Sequence, residues 1–280
     1  MSESEARLRA VLADIDALKD ACPIRKLAGG PASDSWLVNA GGQRLVARID
    51  KAAAESLGLD RQAESEILQT VSEAGIAPQL IWSDPGRGIQ VCAWIEGDSW
   101  SLEDTHNPAR LQELALTLRK LHELPPLGRR FEPEAAAQRY ASRIGTPEAG
   151  RLADHAGALA AKLGAETAQP ALCHNDLVHS NIVNHGPVYL IDWEYAAVGD
   201  AYFDLAVVVR HHQLSPALCK IFLQAYFENP GPAQFEKLAA FCSLYDHLAG
   251  LWYLAMARES GASPAIETEL GRVMARLAQP

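Results

Sequence analysis

The chain has 280 residues, of which 48% are hydrophobic and 21% charged, and its formal net charge at pH 7 is −10. This acidic balance argues against a nucleic-acid partner, because proteins that bind nucleic acid present a basic face. A membrane-spanning helix needs a run of about 18 or more apolar residues, and the sequence has none, so we expect no membrane insertion.

The cysteines and the first residues bear on the compartment. Five cysteines are scattered along the chain without a C-x-x-C pair, which is typical of reduced, mostly buried thiols. The opening residues, MSESEARLRA, lack the apolar core of a signal peptide. We therefore expect a cytoplasmic protein, long enough to bury a substantial core and to divide into two lobes.

The first predicted element is an amphipathic helix over residues 2–21. Its apolar side chains recur at helical spacing, as Leu8, Val11, Leu12, Ile15 and Leu18. Cys22-Pro23 should end this helix, because proline disfavours helical angles in the residue before it.

Residues 27–50 predict three strands joined by a Gly-rich turn and by a second turn at Gly41-Gly42. Glycines in the first turn allow main-chain amides to approach phosphate oxygens closely. The alternative is an ordinary hairpin without a ligand. The candidate phosphate contacts are the amides of Gly29 and Gly30 and the hydroxyls of Ser33 and Ser35.

The rest of the chain predicts one more helix and two strands, followed by a helical region. The helix covers residues 59–74, and the strands cover residues 79–83 and 88–94. From residue 98 onwards the pattern is helical, with Asn107-Pro108 as a cap followed by a first-turn proline. Further predicted helices are one or two Ala-rich segments in 133–165 and those that begin at Pro216 and Pro232.

The most informative stretch is residues 172–196, LCHNDLVHSNIVNHGPVYLIDWEYA. It contains H-x-D-x-x-x-x-N, followed by a short apolar strand that ends in I-D-W-E. This spacing matches the catalytic loop and metal aspartate of kinase-like phosphotransferases. The roles that follow are Asp176 as the base that accepts the proton of a hydroxyl, Asn181 and Asp192 as ligands of Mg²⁺, and Glu194 for a second ion or the substrate.

The same stretch resembles the choline/ethanolamine kinase family and its relatives, the thiamine kinases and aminoglycoside phosphotransferases. Protein kinases have H-R-D and D-F-G, whereas this chain has C-H-N-D and I-D-W-E-Y-A. The resemblance implies an α+β, two-lobed protein-kinase-like fold. A small antiparallel-sheet lobe at 1–96 would bind the nucleotide, and a larger, mainly helical lobe at 97–280 would carry the catalytic and substrate residues.

The resemblance also implies how ATP would be held in the first lobe. Arg48 takes the place of a phosphate-pairing cation that is usually lysine; the alternative is an outward-facing strand residue. Glu64 would pair with Arg48, in preference to Glu66, although most helical glutamates are solvated. Ala93 and Ile95 are the candidates for backbone contacts with adenine.

Supporting roles in the second lobe follow from the same resemblance. Asp204 would hold the backbone of the catalytic loop, and His174 would brace that loop. A zinc site at His211-His212 is not expected, because adjacent residues cannot both face one site on a helix and no carboxylate or thiol completes a ligand set.

The acceptor site is predicted from aromatic residues in a late helix. Tyr245, Leu248 and Trp252 lie on one helical face, where core packing is the alternative role. The resemblance places such aromatic residues around a cationic head group, which gains about 1–2 kcal/mol from each good ring contact.

Together these residues predict transfer of the γ-phosphoryl group of Mg-ATP to a small cationic alcohol, choline or ethanolamine first. Thiamine kinase is the nearest rival, since thiamine also offers a cation and a primary hydroxyl. An aminoglycoside or amino-sugar kinase comes next. A non-catalytic nucleotide-binding regulator is the alternative from another class, but every polar position that the chemistry needs is filled.

Overall fold

The computed structural model describes residues 3–27, 29–30, 32–51, 54, 59–166, 169–261 and 263–278. These residues form two compact units. The first comprises the described parts of Met1–Trp100 and Ser180–Ala196, and the second those of Ser101–His179 and Ala197–Pro280. The predicted lobes at 1–96 and 97–280 remain a prediction; packing groups residues 180–196 with the first unit.

An antiparallel five-stranded sheet is the centre of the first unit. Its strands are β1 (Cys22–Lys26), β2 (Ser33–Ala40), β3 (Gln43–Asp50), β4 (Leu80–Asp84) and β5 (Ile89–Ala93), in the spatial order β1-β2-β3-β5-β4. Gly41 and Gly42 join β2 to β3, with φ of 58° and 88°. Two successive positive φ angles match the twist of a tight hairpin, so these glycines set the register that places Ser35 opposite Arg48.

The N-terminal helix is shorter than its apolar pattern predicts. Helix α1 spans Glu3–Ala13, and turns continue from there to β1. Ile15 and Leu18 are nevertheless buried, and they pack in one core with the face of α1 and the sheet. The prediction of a helix to residue 21 was therefore wrong, although the buried stripe was right. Aspartates at 14, 16 and 20 favour turns over helix, and the buried residues follow those turns.

Helix α2 (Arg61–Glu73) completes the N-terminal part of the first unit. The Asp60 side chain accepts a hydrogen bond from the Ala63 amide and caps the helix. Glu64, Ile67, Leu68 and Val71 form its buried face. Glu64 is the one carboxylate among these four buried residues.

The second unit is mainly helical. Its helices are α3 (Leu102–Thr105), α4 (Pro108–His122), α5 (Pro133–Ile144), α6 (Pro147–Glu166), α7 (Tyr202–His211), α8 (Pro216–Phe227), α9 (Pro232–Ser260) and α10 (Pro264–Leu277). Helix α9 is central, because α5, α6, α7 and α10 all pack against it. Two short strands, β6 (Ala171–Cys173) and β9 (Ala197–Gly199), pair with each other and so bring together the two ends of residues 172–196. The α+β fold class is confirmed.

Within the described part of the chain, none of the helices is both long and apolar enough to cross a membrane.

Candidate active site

A small hairpin in the first unit positions Asn181 and Asp192. Its strands, β7 (Ile182–Asn184) and β8 (Val188–Leu190), pair antiparallel, so the residues just outside them lie side by side. The Ile191 amide accordingly donates to the carbonyl of Asn181 at 2.9 Å. Asp192 has a φ of 65°, a left-handed angle that is uncommon outside glycine. Such strained backbone clusters at functional sites, and the sequence pattern did not reveal it.

Hydrogen bonds from neighbouring segments of the same unit hold the hairpin in place. The Trp100 amide donates to Ile182 O at 2.8 Å, and the Trp100 indole donates to Asn184 Oδ1 at 2.9 Å. Gly97 makes the approach possible, since a Cβ there would lie 2.2 Å from Asn184 O. On the other side, the Leu190 amide donates to Ile76 O at 2.8 Å. The side chains of Asn181 and Asp192, at the open end of the hairpin, are thus carried on backbone that is hydrogen-bonded on two sides.

Arg48 and Glu64, predicted as partners, form a buried ion pair. The two guanidinium–carboxylate distances are 2.6 Å (Nη1–Oε1) and 2.7 Å (Nη2–Oε2), with Arg48 9% and Glu64 3% exposed. Burial alone would lower the pKa of Arg48, but Glu64 outweighs it and the pKa is raised. Burial alone would raise the pKa of Glu64, but Arg48 and then Arg61 outweigh it and lower the pKa. Both groups therefore stay charged at neutral pH.

Arg61 is a member of this site that the sequence analysis missed. Its guanidinium donates to Glu64 Oε2 at 2.7 Å and to Glu194 Oε2 at 3.1 Å. It also makes a two-pronged contact with Asp50, at 2.7 and 2.8 Å. The only hint in the sequence is the D-R-x-x-E start of α2, since an arginine three residues before a glutamate lies on the same helical face.

The linked charges of the first unit are unbalanced. Asp192 lies 3.6 Å from Arg48, which joins it to the cluster. Among the described residues the network has two guanidinium groups and four carboxylates: Arg48 and Arg61 against Asp50, Glu64, Asp192 and Glu194. The pKa of Glu194 is raised to about 7, first by burial and then by the charge of Asp192. The excess of carboxylate and the all-oxygen donor set of Asn181, Asp192 and Glu194 suit Mg²⁺.

In the second unit, Asp204 holds the loop that carries Asp176. Its carboxylate is fully buried and accepts from the His174 amide at 2.8 Å and the Asn175 amide at 2.7 Å. Asn175 has a φ of 66°, again in the left-handed region. The Asp176 amide donates to His174 Nδ1 at 3.3 Å, so the His174 ring braces the turn. These contacts fix the backbone from which the Asp176 side chain extends.

His122, at the end of helix α4, extends this network. Its Nε2 lies 3.0 Å from Asp204 Oδ2, and its Nδ1 lies 2.8 Å from the Tyr226 hydroxyl. A charged Asp204 inside the protein needs such partners, because a buried carboxylate without them is costly. The sequence places His122 in a leucine-rich helix and gives no sign of this contact.

Tyrosines from two helices interact electrostatically with Asp176. Burial raises the pKa of Tyr140, Tyr245 and Tyr253, and the negative charge of Asp176 adds to each rise. Because charge interactions weaken with distance, all three hydroxyls are within range of the charge of that carboxylate. Tyr140 belongs to α5, which packs against α9, and the sequence analysis did not select it. Trp252 is half-buried and packs edge-on against Tyr253, with ring centroids 5.0 Å apart.

The predicted nucleotide contacts are only partly described, since residues 28 and 31 of the Gly-rich turn lie outside the described residues. The Lys51 ammonium donates to Gly30 O at 2.8 Å, and a Cβ on Gly29 would lie 3.0 Å from Ser33 O. Ser33 is buried at the start of β2. The turn is therefore close-packed on itself.

The two candidates for adenine contacts differ in what their backbone offers. The Ala93 amide already donates to Gln79 O at 2.8 Å. Ile95 is half-buried and lies just beyond β5. The structure thus favours Ile95 over Ala93 as the amide donor, while the contact itself stays a prediction.

The sequence argument that His211 and His212 cannot face one metal site does not hold in the structure. Helix α7 ends at His211, and His212 is its capping residue, with φ −86° and ψ 2°. Both rings therefore approach His179, with centroids at 5.6 Å (His211) and 6.3 Å (His212). Burial lowers the pKa of His211 to about 4 and that of His212 to about 3.

Comparison with known proteins adds a family and a fold. The sequence model of the phosphotransferase enzyme family, APH, matches residues 23–241. LicA of Haemophilus influenzae is 26% identical over 210 residues, which are 71% of this chain and 61% of LicA. The chain thus spans less than two thirds of that relative.

Two solved structures share the fold. A choline/ethanolamine kinase family protein from Mesorhizobium loti has a TM-score of 0.81 at 24% identity, covering 99% of this chain and 96% of that one. LicA in complex with AMP has a TM-score of 0.82 at 21% identity, covering 99% of both chains. The predicted protein-kinase-like fold is confirmed, and the family model places the chain in the phosphotransferase enzyme family.

Proposed function

Since the chain belongs to the phosphotransferase enzyme family, we propose that it transfers the γ-phosphoryl group of Mg-ATP to the hydroxyl of a small cationic alcohol. Choline and ethanolamine are the first candidates. The observation that carries this choice is the set of three tyrosines near the Asp176 carboxylate. The names of the solved relatives support it, since they include a choline/ethanolamine kinase family protein and LicA bound to AMP.

Asp176 is the proposed base. It orients the acceptor hydroxyl and accepts its proton as the oxygen bonds to the γ-phosphorus and the bond to the β-phosphate oxygen breaks. Positioning supplies much of the rate in such reactions, so the backbone contacts of Asp204 and His174 matter as much as the base itself. Asp204 and His174 are therefore proposed as positioning residues, which act on the reaction through the loop that carries Asp176.

Arg48 is the proposed phosphate contact in the first unit. Its pairing with Glu64 keeps the guanidinium charged and fixed in place for the negative charge of the phosphates. Asn181, Asp192 and Glu194 would hold Mg²⁺, which supplies positive charge to the phosphate oxygens when bound. Glu194 also contacts Arg61 and Asp192 lies 3.6 Å from Arg48, so both carboxylates of this set have a cationic partner.

The acceptor site is proposed between Asp176 and the tyrosines of α5 and α9. Aromatic faces attract a quaternary or primary ammonium group, and this attraction is strongest where water is excluded. Tyr245 is half-buried near Asp176, which suits a wall of such a pocket. Trp252 remains the second proposed wall.

A coupled assay that follows ADP release tests this function. Choline, ethanolamine, thiamine and kanamycin are offered with Mg-ATP, together with 3,3-dimethyl-1-butanol, the uncharged isostere of choline. We expect the fastest turnover with choline or ethanolamine, little with the isostere and none when EDTA is added. Equal use of choline and its isostere would refute a cation site, and preference for thiamine or kanamycin would reassign the acceptor. Asp176→Asn serves as the inactive control.

A further inference from the structure

Three histidines of the second unit come together outside the residues used by the proposed reaction. They are His179, three residues after Asp176, and the consecutive pair His211 and His212. Besides their contacts with His179, the rings of His211 and His212 lie 5.1 Å apart at right angles to each other. One ring nitrogen from each of the three lies within 4.8 Å of the other two.

Hydrogen bonding leaves a nitrogen lone pair on His212, a member of this cluster. Its Nε2 lies 2.9 Å from the carbonyl of Leu177. A carbonyl can only accept, so Nε2 carries the hydrogen and Nδ1 has the lone pair. This arrangement is typical of histidine that binds a metal, where the second ring nitrogen donates to a backbone carbonyl and fixes the tautomer.

Two ring nitrogens of the cluster are buried without a hydrogen-bond partner. Among the described residues, neither His212 Nδ1 nor His179 Nδ1 has one, and the His212 side chain is fully buried. A buried polar atom without a partner costs about 1–3 kcal/mol. Two such atoms on neighbouring rings point to a bound ligand, such as a cation that accepts a nitrogen lone pair.

We infer that His179, His211 and His212 bind a late first-row divalent cation, with Zn²⁺ as the expected ion. Three imidazoles are a sufficient protein ligand set for zinc, with a fourth position left for water. Zn–N bonds of about 2.0–2.1 Å in a tetrahedron place the nitrogens about 3.4 Å apart, so small ring rotations suffice. Mg²⁺ prefers oxygen donors, which separates this site chemically from Asn181 and Asp192.

The charges around the cluster are compatible with a cation. Three arginines lie in its surroundings, Arg210, Arg272 and Arg276, and each has a carboxylate partner. Asp246 pairs with Arg210 at 3.1 Å and with Arg276 at 2.7 Å, and Glu269 pairs with Arg272. His106 contacts the His212 carbonyl through its Nε2, at 2.7 Å, and so lies outside the ligand set. Two carboxylates thus stand against three guanidinium groups and offset most of their positive charge.

Zinc binding is measured on the metal-depleted full-length protein in millimolar Mg²⁺, which occupies oxygen-donor sites. A chromophoric chelator competes for the added Zn²⁺ and gives affinity and stoichiometry, and X-ray absorption gives the ligand shell. We expect one Zn²⁺ per chain with a nitrogen-rich shell at about 2.0–2.1 Å. Changes outside the ligand shell lower affinity about 10–100-fold, so His179→Gln and His211→Asn should each lower it by at least that much.

A second histidine pair provides the matched control. The rings of His155 and His247 lie 5.9 Å apart, and His155 is exposed. The double variant His155→Asn/His247→Asn should keep wild-type zinc affinity. Circular dichroism checks the folding of every variant, and the half-buried His179 and His211 decide the matter if a change at His212 prevents folding.

The inference is overturned by any of three results: no stoichiometric zinc, unchanged affinity in both His179→Gln and His211→Asn, or an oxygen-only shell that Asp192→Asn abolishes. Equal loss in the control pair also overturns it, because the zinc would then be bound at surface histidines.

Discussion

Replacing Glu64 by glutamine should strongly destabilise the first unit. The change removes one negative charge and keeps the shape of the side chain. Glu64 is 3% exposed, and its carboxylate lies 2.6–2.7 Å from Arg48 and 2.7 Å from Arg61. Removing one partner of a buried ion pair costs about 3–5 kcal/mol. At about 2–4 °C for each kcal/mol, the melting transition should fall by roughly 6–20 °C.

The control is Glu66→Gln in the same helix. Glu66 is exposed, and its carboxylate accepts a hydrogen bond from the neutral side chain of Gln62, so its replacement should shift melting by less than about 2 °C. Differential scanning calorimetry measures both variants. Equal melting of the two would refute the argument that Glu64 holds two buried guanidinium groups.

The pH dependence of this difference gives a further check. The folded pKa of Glu64 lies below its ordinary value of 4.5, so its contribution is present above that value and is lost as the pH falls through the folded pKa. The difference in stability between wild type and Glu64→Gln should therefore persist at neutral pH and shrink only in acid. A difference that shrinks already between neutral pH and pH 5 would contradict the lowered pKa.

Further changes test the proposed roles one by one. Asp176→Asn should lower kcat about 10²–10⁴-fold and keep nucleotide binding, whereas Asp192→Asn should weaken Mg²⁺-dependent nucleotide binding in calorimetry; identical behaviour would contradict the division of roles. Arg48→Lys should lower kcat, because lysine lacks the planar fork that meets both oxygens of its carboxylate partner, and wild-type rates would reduce Arg48 to a strand residue. Trp252→Leu should raise the acceptor KM about 5- to 30-fold and leave the KM for ATP unchanged, from about 1–2 kcal/mol of lost cation–π attraction; an unchanged acceptor KM would remove Trp252 from the pocket. Cys22, which is exposed, should react with a thiol reagent in the native protein, while buried thiols, whose pKa values burial raises, should react only after unfolding.

Local patterns predicted the elements well where one physical rule decides the outcome. The Gly41-Gly42 hairpin and the cap at Asn107 follow from backbone angles and capping chemistry. The failure at residues 14–21 has a different origin. Apolar periodicity reports which residues are buried, and a series of turns can bury the same residues as a helix.

Contacts between distant parts of the chain were beyond the sequence pattern. Arg61 reaches Glu194, which is 133 residues away, and no spacing rule links them. The same holds for His122 and Asp204, separated by 82 residues. The left-handed angles of Asn175 and Asp192 are imposed by such contacts, since neither residue type requires them.

One buried carboxylate in each unit performs a similar task. Glu64 fixes the Arg48 guanidinium, and Asp204 fixes two amides of the loop before Asp176. Each loses its hydration, which only charged or hydrogen-bonding partners can offset. Spacing alone would have placed both on solvated helix faces, so the resemblance to a family identified them where periodicity did not. In each unit a buried carboxylate, Glu64 or Asp204, restrains the residue or loop proposed for the chemistry. The sequence does not show that these carboxylates are buried.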